Sequence, residues 1–147
     1  MKKYWSLLLV FALLSCNKQT GSGEEEGDIS ETRANVKTEA AASYSEPVAD
    51  KDKLNNWKFA VEAFETPMTF KYLLKIQYKE LSVEDTLLIP DFGIQPVVEM
   101  KKGPEDLSCI IGFKGKENEF KEYKKVVVED GELKITALKS YRKAVKK

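Results

Sequence analysis

The dominant alternation of apolar and polar side chains is the feature that most constrains the fold of this 147-residue chain. In Thr69–Glu80 the apolar residues fall at every second position, and lysine or glutamine fills most positions between them. Because successive side chains of a strand point to opposite faces, this pattern predicts a half-buried β-strand. Rows with the same period are Ile94–Met100, Leu107–Phe113 and Leu133–Ala137.

Two parts of the pattern leave alternatives open. In the segment 119–129 the parity slips, because Phe120 and Val126 share one face while Tyr123 lies on the other. Either two facing apolar environments or a β-bulge would explain the slip. In residues 54–65 the apolar positions fit a strand or a helix, and we favour the strand.

Short connections with turn-forming residues separate the rows. Asp130-Gly131 is typical of a two-residue hairpin turn, and Pro96 places its row at a sheet edge or a bulge. A parallel crossover needs a dozen or more residues, which none of these gaps has. The sequence therefore predicts an all-β fold, an antiparallel meander of six or seven strands that forms a sandwich or a small barrel and follows a disordered tether.

The first sixteen residues have the layout of an export signal. Two lysines precede an apolar run from Trp5 to Leu14, and Ser15 then precedes Cys16. This run is too short for a transmembrane helix, which needs about 20 residues. The ending Leu13-Leu14-Ser15-Cys16 resembles the lipobox of bacterial lipoproteins. The resemblance implies cleavage before Cys16, acylation of that cysteine and attachment to the membrane through it.

Composition changes near residue 53. Residues 17–53 carry five basic and nine acidic side chains, with Tyr44 as the one aromatic residue. Such a composition does not bury enough apolar surface to offset the entropy of the chain. We therefore predict three parts: a lipoprotein signal peptide at 1–15, the acylated cysteine and a disordered acidic linker at 16–53, and a β-rich domain at 54–147.

The acidic triplet Glu24-Glu25-Glu26 has two interpretations. Charge runs in linkers are usually solvated. The triplet also resembles the acidic export tag that directs Bacteroidota-type lipoproteins to the outer face of the outer membrane, although that tag lies closer to the acylated cysteine than Glu24 does. The resemblance favours the cell surface over a periplasm-facing location.

The inventory of reactive side chains gives little support for catalysis. Histidine is absent, which removes histidine-based triads and histidine–metal sites. Cys109 alternates with apolar residues and is predicted to be a buried thiol. Three pairs of adjacent acids lie beside predicted turns: Glu84-Asp85, Glu105-Asp106 and Glu129-Asp130. Because neighbouring side chains on a strand point to opposite faces, the two acids of a pair would not act together on one bond. We therefore interpret all three pairs as solvated. We expect no catalytic residue, metal or cofactor.

The carboxyl-terminal nine residues are basic and contain no acid. Their charged side chains are Lys139, Arg142, Lys143, Lys146 and Lys147. A terminal charge run is typically frayed and solvated. The functional alternative is that these side chains contact anionic headgroups or an acidic glycan. The net charge of the whole chain is zero, which argues against nucleic acid as a partner.

Three segments, Thr69–Tyr78, Leu107–Phe113 and Phe120–Val126, resemble small lipoproteins of Bacteroidota envelopes. The resemblance implies the same location and carries no activity with it. Because a rigid β domain on a flexible tether is well suited to binding a partner, we favour a protein- or glycan-binding accessory module of the cell envelope. The alternative is a small-molecule carrier with a barrel cavity lined by the aromatic row Phe70–Tyr78, and a hydrolase is the third choice.

Overall fold

The computed structural model describes residues 31–141, and every helix or strand assigned within them is a β-strand. In chain order the strands are β1 (Ala40–Pro47), β2 (Lys58–Glu65), β3 (Lys71–Tyr78), β4 (Leu81–Leu88), β5 (Val98–Lys102), β6 (Ser108–Lys114), β7 (Phe120–Glu129) and β8 (Glu132–Ala137). They form two antiparallel sheets, ordered β1-β2-β3-β4 and β5-β6-β7-β8. The predicted all-β antiparallel meander is confirmed, and its two packed sheets make it a sandwich.

Each sheet buries one apolar face against the other sheet. In β3, Tyr72, Leu74 and Ile76 are at most 3% exposed, which confirms the predicted alternation. Full burial of such a side chain stabilises the fold by about 1.5–3 kcal/mol. The fully buried side chains that form the core between the sheets are Phe59, Val61, Leu74, Ile76 and Leu87 from the first sheet and Cys109, Ile111, Phe113 and Val126 from the second.

Ion pairs between the sheets close two opposite sides of the sandwich. Glu46 of β1 lies 2.9 Å from the Nζ atom of Lys102 in β5. On the other side, Lys124 of β7 lies 2.7 Å from Asp85 of β4 and donates a hydrogen bond to the carbonyl of Thr86. Charged side chains at sheet edges oppose pairing with further strands.

Several local predictions are confirmed. Asp130 and Gly131 have φ angles of 52° and 77°, as a hairpin with positive φ at both central residues requires. Residues 54–65 contain strand β2 and no helix. Pro96 directly precedes the segment that leads into edge strand β5. The chain therefore reverses at Asp130-Gly131, as the turn-forming residues of the sequence predict.

The parity slip in β7 is a β-bulge. Ile111 of β6 pairs with Lys124, but the next residue, Gly112, pairs with Glu122. Tyr123 is thus the extra residue on β7. The bulge changes which face later residues occupy, and it accounts for the irregular pattern of this segment.

A strand lies within the range that the sequence analysis assigned to the disordered linker. Strand β1 pairs with β2 from Ala40 to Pro47, so the range 16–53 is not linker throughout and the boundary at residue 53 is wrong. The amino-acid composition does not indicate β1, because most of its residues are alanine and serine. The strand forms through its pairing with β2, which has no signal in the composition of β1 itself. With β1 the fold has eight strands instead of six or seven. Residues 16–30, and with them the rest of the predicted linker, lie outside the described residues.

Arg33 fixes the chain ahead of β1 to the turn between β2 and β3. Its guanidinium donates hydrogen bonds to the backbone carbonyls of Thr66 (2.7 Å), Met68 and Thr69. It also lies 4.6 Å from the centre of the Tyr72 ring. A guanidinium has five N–H donors in a rigid fork, so one side chain can satisfy several carbonyls at a turn.

We predict that Arg33→Ala lowers the free energy of unfolding by about 2–4 kcal/mol, because it leaves several partly buried carbonyls without a donor. Lys37→Ala, at an exposed position on the same segment, is the control and should change stability by less than about 0.5 kcal/mol. Urea denaturation of a Cys16→Ser chain measures both. Equal stability of the two variants would show that Arg33 does not hold this segment.

Candidate functional site

Cys109 lies in the core, as predicted. Its side chain is fully buried between the sheets. Burial raises the pKa of the Cys109 thiol to about 12, and the nearby Glu46 carboxylate acts in the same direction. A thiol with so high a pKa is protonated at neutral pH and is a poor nucleophile.

The adjacent acidic pairs do not form a catalytic dyad. Glu84 and Asp85 lie within strand β4, so their predicted place beside a turn is wrong. Their side chains diverge: Asp85 reaches the ion pair with Lys124, whereas Glu84 is exposed. Glu105 lies in the turn after β5, where Lys125 of β7 is 2.5 Å away and lowers the pKa of that carboxyl group.

The third acidic pair and the other side chains that the structure describes form no metal centre. Glu129 and Asp130 lie at the hairpin between β7 and β8, where Glu129 pairs with Lys134 at 2.7 Å. Among residues 31–141, no group of three or more acidic or cysteine side chains is placed to hold a metal ion.

Most of the predicted contact residues lie outside the described part of the chain. Cys16, Arg142, Lys143, Lys146 and Lys147 are all in undescribed segments, so their predicted roles stay predictions. Lys139 is described. Its side chain is 59% exposed, and its Nζ atom lies 3.7 Å from the Glu122 carboxylate.

The described chain begins and ends at the same end of the sandwich, which we call the exit end. At the start, the backbone N–H of Thr69 donates to the carbonyl of Glu31 at 2.9 Å. At the finish, the ring of Tyr141 packs edge-on against Phe113 with centroids 5.3 Å apart. The Tyr141 hydroxyl also donates to the carbonyl of Glu122 at 2.9 Å.

The pairing of the strands shows that these two attachments are at one end. Tyr72, beside the turn between β2 and β3, donates its hydroxyl to the carbonyl of Pro96 at 3.2 Å. Pro96 leads into β5, whose first residue, Val98, is the strand partner of Phe113. The contact of Tyr141 with Phe113 and the contact of Glu31 with the β2–β3 turn therefore lie on the same side of the core.

The opposite end, which we call the distal end, carries a group of aromatic and apolar side chains. This distal patch consists of Trp57, Tyr78, Lys79 and Leu81. The Nζ atom of Lys79 lies 4.6 Å from the centre of the Trp57 ring and 5.3 Å from that of Tyr78. Leu81, the strand partner of Tyr78, is 48% exposed. Aromatic side chains that keep part of their surface in solvent are typical of binding sites.

The loop before the distal patch presents a further leucine. The Asp50 carboxylate accepts hydrogen bonds from the backbone N–H groups of Asp52, Leu54 and Asn55 at 2.8–3.2 Å. These hydrogen bonds, led by that from Asn55, lower the pKa of Asp50. The loop is thus fixed while the Leu54 side chain is 83% exposed. A single exposed leucine is common on protein surfaces, but here Leu54, Leu81 and two aromatic rings occur at one end.

The sequence pattern alone does not reveal the distal patch, because Tyr78 belongs to the alternating row Thr69–Glu80 and Trp57 to residues 54–65, which are predicted to be a strand. Both residues stand at the margin of their rows, next to a chain reversal. A row that ends in an aromatic residue beside a turn is the signal that could have indicated partial exposure. By contrast, the inner positions of the row, Tyr72, Leu74 and Ile76, are core side chains between the two sheets.

A shallow depression lies at the exit end, beside Tyr72. Its volume is about 240 Å³, and its lining includes Lys37, Glu65 and Val97. Pockets that enclose small molecules usually have volumes of roughly 300–1,000 Å³ and mostly apolar walls. This depression therefore gives the carrier hypothesis no support.

Comparison of the chain with protein-family models, with curated proteins and with solved structures gave no match. Within residues 31–141, no helix has the length and apolar character needed to cross a membrane.

We predict that native Cys109 resists alkylation at pH 8 to 9, because its pKa of about 12 keeps the thiol protonated and its side chain is buried. The thiol should react fully once urea unfolds the chain, and Cys109→Ala should cost on the order of 1 kcal/mol. Mass spectrometry of iodoacetamide adducts measures the labelling. Fast labelling of the folded protein would place Cys109 at an accessible site.

Proposed function

We propose that this chain is a lipid-anchored protein of the bacterial cell envelope and that its sandwich is an accessory module that binds a protein or a glycan. The observation that carries the binding role is the distal patch, Trp57, Tyr78, Lys79 and Leu81, with Leu54 beside it. We also propose that acylated Cys16 holds the protein on the outer membrane and that the domain is displayed at the cell surface.

The proposed lipid anchor is supported by the amino-acid sequence. A charged start, a ten-residue apolar run and Ser15-Cys16 have the order of a lipoprotein signal. Two or more acyl chains bind a membrane stably, because each buried methylene contributes about 0.8 kcal/mol. Anchoring of this kind needs no membrane-spanning segment in the mature protein.

The binding role rests on the chemistry of the distal patch. Trp and Tyr dominate the energetics of many interfaces because they offer large, rigid surfaces at low entropic cost. Lys79 adds a cation close to both rings, and Leu54 and Leu81 extend the apolar area. Sugar rings and apolar protein side chains both pack on such a surface. A patch on a rigid sandwich is also preorganised, which lowers the entropy lost on binding.

The competing functions have less support. The adjacent acids diverge or form ion pairs, and the Cys109 thiol is buried with a raised pKa. The depression of about 240 Å³ beside Tyr72 is below the usual size of a ligand pocket. We therefore propose a non-enzymatic role.

We predict that Cys16→Ser moves the protein from the membrane fraction to the soluble fraction, because acylation requires the cysteine sulfur. Cys109→Ser is the matched control, since it changes the other cysteine and should leave the protein with membranes. Fractionation of cells with a high-salt wash, followed by immunoblotting, distinguishes the two. Retention of the Cys16→Ser chain on washed membranes would contradict lipid anchoring.

We predict that the double change Leu54→Ser and Leu81→Ser weakens partner binding about tenfold or more, because it removes exposed apolar surface beside the aromatic rings. Leu88→Ser is the matched control: Leu88 is 39% exposed and lies at the other end of strand β4 from Leu81. Binding is measured with envelope proteins and with purified envelope polysaccharide in separate arms. Equal weakening by Leu88→Ser, or no weakening by the double change, would contradict the role of the distal patch.

A further inference from the structure

We infer that strand β8 pairs edge to edge with β8 of a second copy of this chain, in an antiparallel, two-fold arrangement centred on Ile135. This pairing joins the sheet β5-β6-β7-β8 of each copy into one sheet of eight strands. Neither the proposed lipid anchor nor the distal patch takes part in it, so the inference goes beyond the proposed function.

Three of the four edge strands carry a charged side chain on the face that points into the sandwich. Each of these side chains belongs to the strand partner of a fully buried core residue, and they are Glu46 in β1, Asp85 in β4 and Lys102 in β5. Inward-pointing charges are a device by which natural sheets prevent their edges from pairing with further strands. Strands β1, β4 and β5 are therefore protected edges.

Edge strand β8 has apolar residues at all of its inward-facing positions. These residues are Leu133, Ile135 and Ala137, since Ile135 is the strand partner of a fully buried residue of β7. Although it faces inward, Ile135 is 37% exposed. The one cation of the strand, Lys134, lies on the outer face and pairs with Glu129 of β7 at 2.7 Å. Among the edges of residues 31–141, β8 is thus the one without an inward charge.

The backbone of β8 has a row of hydrogen-bonding groups that β7 does not use. Glu129 and Glu132 close a two-residue hairpin, so alternate residues from Glu132 onward bond to β7. The N–H of Leu138, which donates to a carbonyl of β7 at 2.8 Å, has the phase that this pattern requires. The intervening residues therefore point their N–H and C=O groups to the free edge, which no other described strand covers: Leu133, Ile135 and Ala137.

A two-fold axis at Ile135 uses the whole length of this edge. It places Ile135 opposite Ile135 of the second copy and Leu133 opposite its Ala137, so the edge-facing groups of both copies form about six hydrogen bonds. Moving the axis to Lys134 sets two lysines directly opposite each other, which is destabilising. Moving it to Leu133 sets the turn residue Gly131 opposite Ile135, and most of these hydrogen bonds are lost. The strand itself therefore favours one register.

The charges at the two ends of β8 are complementary in this arrangement. Asp130 and Glu132 lie at the start of the strand, and Lys139 follows its end. Lys139 is 59% exposed and only loosely paired with Glu122, at 3.7 Å. Antiparallel pairing brings the acidic start of each strand to the basic end of the other, twice by symmetry, whereas parallel pairing brings like charges together. This self-complementarity assigns the edge to a second copy of the chain.

Disulfide cross-linking in intact cells tests the pairing and its register, because a contact along one short strand is small and its association is weak. In the two-fold arrangement the two cysteines of Ile135→Cys lie opposite each other with Cα atoms about 5.5 Å apart, within the range of a disulfide. Thr136→Cys, also exposed, is the matched control. Its two copies are offset by two residues along the strands, which separates their Cα atoms by about 8 Å.

After mild oxidation with copper phenanthroline, we expect Ile135→Cys to give a reducible product of twice the chain mass. This dimer should be about fivefold or more abundant than that of Thr136→Cys, because a disulfide does not form across more than about 7 Å without movement of the backbone. The unsubstituted chain is the blank, since its Cys109 thiol is buried. Immunoblots of non-reducing gels measure the products.

Proline variants in the Ile135→Cys background test the backbone hydrogen bonds between the copies. Ala137→Pro removes an N–H that points to the free edge and makes no bond to β7, so it should lower the dimer about fivefold without loss of the fold. Ser82→Pro is the matched control on edge strand β4. Its N–H also points to a free edge, because Tyr78 and Leu81 close the β3–β4 turn, and the dimer should be unchanged.

Each other outcome overturns the inference. Absence of the Ile135→Cys dimer, or equal dimer from Ile135→Cys and Thr136→Cys, shows that the β8 edges do not pair in this register. A cross-linked product of any other mass assigns the edge to a different protein. An unchanged dimer in the Ala137→Pro variant, with native circular dichroism, shows that the hydrogen bonds between the copies do not form. None of these results bears on the lipid anchor or the distal patch, which the Cys16→Ser and the Leu54 and Leu81 variants test.

Discussion

The apolar contact between the two sheets is the interaction on which the rest of this structure depends. A four-stranded meander with one apolar face is not stable by itself, because that face would remain in water. Here Phe59, Leu74 and Ile76 of one sheet meet Ile111 and Phe113 of the other. Successive antiparallel pairings set the strand order within each sheet, and the contact between the sheets brings Glu46 to Lys102 and Asp85 to Lys124.

The sides of the sandwich illustrate how a small β protein limits its own association. The pairs Glu46–Lys102 and Asp85–Lys124 lie where the apolar interior approaches solvent. Surface ion pairs contribute little to stability, about 0–1 kcal/mol. Their more important effect is to place charge on edge strands that could otherwise pair with another chain. The distal patch lies at the end of the sandwich, where Leu81 is 48% exposed.

Much of the fold could be predicted, because the alternation of apolar and polar residues indicates which face of a strand is buried. The rows that became β3 and β6, the reversal at Asp130-Gly131 and the irregularity at Tyr123 were all visible in the sequence. Strand β1 was not, because alanine and serine carry no pattern and the strand depends on its pairing with β2. Nothing in the sequence linked Arg33 to a turn more than thirty residues away. Long-range contacts of this kind have no local signal.

The candidate site was harder to predict than the fold. Trp57 and Tyr78 have the same periodicity as core residues, and only their position at the end of the sandwich exposes part of their surface. Leu54 is exposed because Asp50 fixes the preceding loop through backbone hydrogen bonds. The basic residues after Tyr141 were visible in the sequence, but they lie outside the described residues, and of the predicted basic contact residues the structure describes Lys139 alone.

Residues 31–47 belong to one sandwich whose two sheets share a core. Amide hydrogen exchange of the Cys16→Ser protein tests this claim most directly. Those β1 amides that hydrogen-bond to β2 should be protected and should exchange in the same cooperative opening as the amides of β3 and β6. Exchange of the β1 amides as fast as that of the exposed residues Lys51 and Asp52 would show that β1 is not part of the sandwich.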